Sequence, residues 1–365
     1  MNQLRLLALV LAFACGPVLA AGKTRNVVLL VCDGLRPEEV FTGAEEALLD
    51  ENLGYAWYTE AEMRHRYWNP DPAERRKMLM PFLWNKVASQ GQLLGHAAIG
   101  SSAEVANPFA ISYPGYNEMA SGVADPRISK NEHGLNPNVT VFEWLAGRPG
   151  FAGKVEVFGG WGTFHDIFNE QRSHLLVRSG TTLVDSSDHS PRGQLMQQLY
   201  QTTTGIDRDD PYDSFVNIAV QDHLNKHRPR VMFVGFGDTD NWAHAGRYDA
   251  YLQTAHNFDA YVEALWNRMQ SLREYKDKTT FIITADHGRG HGPKLWQEHG
   301  EWASGSGNIW IAVIGPDTPP LGERHDVKPV TQSQIAATIA ALLGEDFLSA
   351  IPKAAPPLLD VLSTP

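Results

Sequence analysis

The sequence predicts a doubly wound α/β fold, a mostly parallel sheet sandwiched between two layers of helices. Near-continuous apolar, β-rich runs alternate with longer segments of helical period along most of the chain. The runs are apolar at every position rather than every second one, so both faces must be buried, as in a parallel sheet. No internal repeat and no Ser/Gly-rich linker interrupts the pattern. Residues 21–365 are therefore expected to form one domain.

In order, the first strand is expected over 26–32, where Val27-Val28-Leu29-Leu30-Val31 leaves no polar face. Residues 37–81, rich in Glu, Tyr and Trp, read as a lid or a surface insertion. A helix follows over 78–89, with Glu74-Arg75-Arg76-Lys77 as its solvated start. Ser112, with Pro114 two residues on, opens a short helix that closes on Gly122. Further helices are expected over 140–147, 192–200, 214–226, 247–275 and 331–343, and strands over 154–158, 230–236, 279–284 and 308–314.

The 365 residues are 43% hydrophobic and 20% charged, enough to bury a full core and outside the disordered and collagen-like classes. Thirty-one Lys and Arg against 42 Asp and Glu leave a net charge of −11, which repels nucleic-acid backbones and anionic membrane surfaces. No nucleic-acid partner is expected. Residues 1–20 read as a secretory signal: Arg5, a short apolar run over 6–14, and Val18-Leu19-Ala20 at the cleavage point. The mature chain is expected to be periplasmic or secreted, without a membrane span, since no later run reaches roughly 18 apolar residues. Ala12-Phe13-Ala14 is a poor lipobox for Cys15, and loss of the signal removes Arg5 and no acid, taking the balance to −12 and leaving Cys32 alone. A lone cysteine in an oxidising compartment is best kept buried.

In a sheet of this kind functional groups gather at the C-terminal ends of strands. Three strands end in similar chemistry: Asp33-Gly34, Asp238-Thr239-Asp240 with His244 four residues on, and Asp286-His287-Gly288. Each alone has an ordinary reading as a turn residue, a cap or a surface pair. Together they point to a metal centre. Mixed Asp and His without a usable thiolate favours zinc or another borderline divalent ion over calcium, and the carboxylate count suggests two ions. Ser112, at a helix start where backbone N–H groups favour anionic oxygens, is the candidate nucleophile; locally it also reads as an N-cap.

This set, Asp33-Gly34, Ser112-x-Pro114, Asp240-x-x-x-His244, Asp286-His287-Gly288 and a later histidine, resembles the alkaline phosphatase superfamily of metalloenzymes. Within it the chain is more similar to the nucleotide pyrophosphatase/phosphodiesterase-like and phosphoglyceromutase-like branches than to true alkaline phosphatases. The resemblance spans about residues 26–343 and implies a three-layer α/β/α sandwich with a central, mostly parallel sheet and two divalent metal ions, zinc by preference. One ion would be held by Asp33, Ser112, Asp286 and His287, the other by Asp240, His244 and a final histidine. His299, nine residues before the 308–314 strand, is preferred to His291.

The resemblance further implies a hydrolase of small phosphoesters in which Ser112, activated by the metals, forms a phosphoseryl intermediate that water cleaves. Asn131 or Asn136, about 20 residues beyond Ser112, lies near where diesterase-like relatives place a phosphate-binding Asn; each also reads as a turn residue. No arginine follows Ser112 where true alkaline phosphatases use one, which tilts the expectation toward diesters or activated monoesters. Tyr116 stands where formylglycine sulfatases carry Arg, and the segment 122–231 is too short for the whole inserted domain of cofactor-independent mutases. Alternatives are a sulfatase-like hydrolase, a phosphomonoesterase of the same superfamily, or a non-catalytic metal-binding relative. Trp161, Phe164 and His165 are candidates for a leaving-group pocket or for core.

Overall fold

The computed structural model describes residues 22–50, 52, 57–205 and 210–362. The expected signal, residues 1–20, lies outside them. The main sheet is built from β1 (Asn26–Cys32), β2 (Gln92–Leu94), β3 (Val155–Gly159), β4 (Leu176–Ser179), β5 (Val231–Phe236), β6 (Thr279–Thr284), β7 (Ile311–Ile314) and β8 (Gly322–Glu323). Their order across the sheet is β4-β3-β5-β1-β6-β7-β2-β8. All neighbours are parallel except at β7, which runs against both β6 and β2.

Among the described residues, ten α-helices of six or more residues frame the sheet and its loops: α1 (Pro37–Thr42), α2 (Glu60–Tyr67), α3 (Pro72–Leu79), α4 (Ser112–Ser121), α5 (Val141–Ala146), α6 (Pro191–Thr202), α7 (Asp213–His227), α8 (Asp238–His244), α9 (Tyr248–Gln270) and α10 (Gln334–Leu342). Alternate residues of β1 feed two separate cores. Val27, Leu29 and Val31 pack with residues of α4, α5 and α10, whereas Val28, Leu30 and Cys32 pack with residues of α1, α7 and α9. Apolarity at every position of β1 thus corresponds to a helical layer on each face, and the fold is the expected α/β/α sandwich. Cys32 is buried with its sulfur 3.3 Å from Thr239 Oγ1, and burial pushes its thiol well above the usual range. No helix among the described residues is long and apolar enough to cross a membrane.

Three expectations need correction. The helix expected over 78–89 is broken at its start: α3 ends at Leu79, Met80 precedes Pro81 and is excluded by the proline ring from the helical region, and helical turns then run over 81–90. Within that stretch Leu83–Val87 is wound more widely than an α-helix. The apolar run 308–314 contributes only Ile311–Ile314 to the sheet, and does so antiparallel. The long helix stops at Gln270, and turns carry the chain to β6. As for residues 37–81, the described part is fastened to the start of α9: Tyr248 Oη accepts from Glu45 N–H at 2.7 Å, Asp249 Oδ2 accepts from Trp57 N–H at 2.6 Å, and Tyr67 Oη donates to Gln253 Oε1 at 3.0 Å.

Candidate metal centre and nucleophile

β5, β1 and β6 are neighbours in the sheet, so their C-terminal ends deliver Asp33, Asp240, Asp286 and His287 to one place. Asp33 Oδ2 accepts a 2.9 Å hydrogen bond from Tyr116 Oη, and Asp286 Oδ1 accepts one of 3.0 Å from Gly34 N–H. Each carboxylate therefore has one oxygen spent. The other two, Asp33 Oδ1 and Asp286 Oδ2, are buried without a hydrogen-bond partner, and each lies 3.4 Å from His287 Nε2. His287 Nδ1 sits 2.8 Å from the Gly288 carbonyl, the arrangement that leaves Nε2 to a ligand.

Such a cluster calls for positive charge. Burial, with Asp33 alongside, holds Asp286 well above the usual carboxylate range. Burial pushes the His287 imidazole down, but Asp286 and Asp33 outweigh it and lift the group to about 9. Two buried oxygens and an imidazole nitrogen facing one point suit a divalent cation of the borderline type. Asp33, Asp286 and His287 offer ligand atoms within 4.8 Å of one another, and so do Asp240, His287 and His299.

Ser112 is the first residue of α4 and does not act as its N-cap; that position falls to Ile111, which provides no side-chain bond. Ser112 Oγ instead points to His287, 3.4 Å from Nε2. A Cβ on Gly115 would collide with the Asp286 carbonyl, so the helix rests backbone to backbone on the loop that carries the carboxylate. The approach to Ser112 is braced from behind by Glu118. Its fully buried carboxylate accepts from the backbone N–H groups of Ala106, Asn107 and Ser333 and from the Asn107 and Ser333 side chains. Asn107 Oδ1 in turn holds the N–H groups of Phe109 and Ala110.

The second group forms across α8 and the loop after β6. His244 Nε2 is 3.0 Å from His299 Nε2 and 3.3 Å from Asp240 Oδ2, and His299 Nε2 is 3.7 Å from Asp240 Oδ1. Burial, followed by the His287 charge, keeps His299 well below the usual imidazole range. Burial would raise Asp240, but the Arg289 guanidinium on its Oδ1 holds it well below. Arg289, fully buried, also donates to the Trp296 and Gln297 carbonyls. His291 is not brought here; it is half exposed and pairs with Glu38 at 2.9 Å.

The two candidate asparagines separate. Asn131 Oδ1 accepts from the Tyr113 N–H at 3.0 Å, one residue from Ser112. Asn136 is not in the site: its buried amide donates to Asn117 Oδ1 and the Ile167 carbonyl, and its oxygen accepts from Asn138 N–H. Phe164 is core beneath Gly159 and Gly235, and Trp161 packs on it; His165 is tied to Glu170 and Thr182. Sequence reasoning missed Tyr116, Glu118, Asn107 and Arg289. For Tyr116 a signal existed, since a residue four beyond Ser112 shares its helix face.

A family model described as the Metalloenzyme superfamily matches residues 200–295, the segment that carries Asp240, His244, Asp286, His287 and Arg289. No curated protein sequence matches the chain. Among solved structures the chain is similar to the wild-type alkaline phosphatase PafA (TM-score 0.58, 10% identity, covering 94% of this chain and 100% of that one). It is also similar to a phosphonate monoester hydrolase of Agrobacterium radiobacter (0.57, 13%, 93% and 78%). A 2-O GAG sulfatase matches at 0.54 with 14% identity over 93% of this chain and 74% of that one. The resemblance to the alkaline phosphatase superfamily thus holds in the family model and in the fold.

Proposed function

We propose that the chain is a metal-dependent hydrolase of small phosphoesters that uses Ser112 as its nucleophile. The observation that carries this reading is the convergence of Ser112 Oγ and two unpartnered carboxylate oxygens on one imidazole nitrogen, each at 3.4 Å. Asp33, Ser112, Asp286 and His287 would hold one divalent ion, and Asp240, His244 and His299 a second, zinc being the best match to the donor set. When bound, such ions lower the pKa of a serine hydroxyl and offset the charge of the transferring phosphoryl oxygens.

The chain's own residues supply geometry. The 10-residue helix α4 presents Ser112 from its N-terminus, where the backbone dipole favours an anionic substrate. Asn131 steadies that end and is the residue proposed to meet a phosphoryl oxygen. Formation of the Oγ–P bond expels the leaving-group oxygen on the opposite side, and water then cleaves the phosphoseryl bond to restore Ser112. The absence of an arginine just beyond Ser112 supports diesters or activated monoesters over simple monoesters.

The test is turnover of nitrophenyl phosphate, bis-nitrophenyl phosphate and nitrophenyl sulfate by the zinc-loaded protein beside Ser112→Ala. The expected result is phosphoester turnover that the alanine variant loses. Full activity in Ser112→Ala, turnover of the sulfate alone, or one bound calcium and no zinc by metal analysis would each sink the reading.

A further inference from the structure

Among the described residues, six that are not glycine adopt a left-handed φ: Ala110, Asn169, His174, Arg228, Asp277 and Asp326. Ala110, at φ 47°, is the one whose side chain can form no hydrogen bond to settle it there, and it stands two residues before Ser112. A strained alanine persists only where its surroundings over-determine it. The buried Asn107 supplies that constraint, because its Oδ1 accepts from the N–H groups of Phe109 at 3.1 Å and Ala110 at 3.0 Å. Asn107 is held in turn by Glu118, whose Oε2 accepts from its N–H and from its Nδ2, each at 2.8 Å. Glu118 lies on α4, the helix that Ser112 begins, so the turn before the nucleophile is pinned to the helix after it.

The carbonyl of Ala110 lies 3.2 Å from His299 Nδ1. A carbonyl oxygen only accepts, so Nδ1 carries the ring proton and Nε2 keeps its lone pair, which faces His244 Nε2 at 3.0 Å and Asp240 Oδ1 at 3.7 Å. We infer that Asn107 and Ala110 are positioning residues: the Asn107 turn holds Ala110 left-handed so that its carbonyl fixes the tautomer and ring direction of His299 for the second metal ion. The inference rests on the two-ion part of the proposed hydrolase reading. Relaxation of Ala110 into an ordinary backbone region would swing this carbonyl off Nδ1. The other end of the same peptide is Ile111, which leads directly into α4, so one peptide group serves both the nucleophile and a ligand of the second ion.

The experiment is long-range proton–nitrogen NMR of the histidine rings in the metal-free protein, joined to zinc titration against a chromophoric chelator. Wild type is compared with Asn107→Ala, Ala110→Gly and the double variant Asn107→Ala/Ala110→Gly, and a His299→Gln sample assigns the signal. Wild type is expected to carry the His299 proton on Nδ1. Asn107→Ala should give a mixture of tautomers and weaken the second zinc by roughly 10–100-fold, with the first held within about twofold. Ala110→Gly reaches a left-handed φ without strain, so it should keep the tautomer and both affinities, and in the double variant it should recover much of what Asn107→Ala loses. A merely structural role predicts the opposite for the double variant, because glycine adds freedom to the unfolded chain and deepens a loss of stability. A proton on Nε2 of His299 in metal-free wild type overturns the inference, and that result needs no variant to fold. Equal weakening of both zinc ions in Asn107→Ala, or a double variant worse than the single, overturns it as well. A wild type that binds one zinc, yet holds the Nδ1 proton and loses that preference in Asn107→Ala, supports the positioning and sinks the two-ion reading, so the two failures are distinguishable.

Discussion

Replacing Tyr116 with phenylalanine removes one oxygen and little else. The ring stays wedged edge-on against Phe164 at 4.8 Å and Phe233 at 5.8 Å, so the core around it is kept. What disappears is the 2.9 Å hydrogen bond to Asp33 Oδ2. Burial, followed by the Asp33 charge, holds the phenol well above its usual range, so it donates at every working pH. A hydrogen bond to a charged group contributes roughly 1.5–3 kcal/mol, and loss of such a partner behind a ligating side chain lowers metal affinity by roughly 10–100-fold. Zinc affinity in Tyr116→Phe, read by competition with a chromophoric chelator, is therefore expected to fall by about that factor. Thermal melts of the metal-free protein provide the control. If the variant binds zinc within about twofold of wild type, Tyr116 does not orient a ligand, whatever it does for stability.

Four further outcomes follow. Gly34→Ala would set a Cβ 2.7 Å from Arg289 Nη1 and 2.9 Å from Asp240 Oδ1 at a φ of +62°; the expected result is loss of zinc binding and about 1–3 kcal/mol of stability in urea unfolding. Glu118→Gln turns an amide toward donors that need an acceptor, so it should cost roughly 2–4 kcal/mol, and an unchanged melting temperature would contradict the brace behind Ser112. Arg289→Met frees Asp240 Oδ1 but leaves the Trp296 and Gln297 carbonyls unpaired; in the metal-free protein His299 is expected to lose its fixed position, visible as broadened imidazole resonances, and resonances as sharp as in wild type would contradict this. Burial lifts Asp259 to about 7. A raised carboxylate contributes its stability in full below the ordinary range near 4 and loses it as pH rises to 7, so Asp259→Asn should gain on wild type between about pH 4 and 7, by up to about 1.4 kcal/mol per unit, and level off above. A pH-independent difference would contradict this.

How much of this was legible depends on the range of the interactions. β1, β5 and β6 are buried on both faces, and that is written directly in their unbroken apolar runs. The strand-end positions of Asp33, Asp240, Asp286 and His287 follow from those runs. The edge strand β4 and the strand β2 next to the other edge, four and three residues long, are too short to show a period. The direction of β7 is not written in its apolarity at all, because a buried strand reads the same either way. Spacing suggested Asn131 and Asn136 alike, yet only contacts distant in sequence turn one toward Ser112 and the other toward Ile167. Glu118 is the extreme case: its partners lie at Ala106, Asn107 and Ser333, and a buried acid says nothing about which donors await it.

The contact between Gly115 and the Asp286 carbonyl makes the serine-bearing helix and the carboxylate-bearing loop one rigid body. No side chain lies between them to be lengthened or shortened, so the distance from Ser112 to His287 cannot be tuned by substitution at their interface. Selection or engineering that seeks a new substrate must therefore work outward from this fixed pair, through the surrounding loops. In a saturation library, position 115 should tolerate glycine alone, while the surrounding loops remain free to vary.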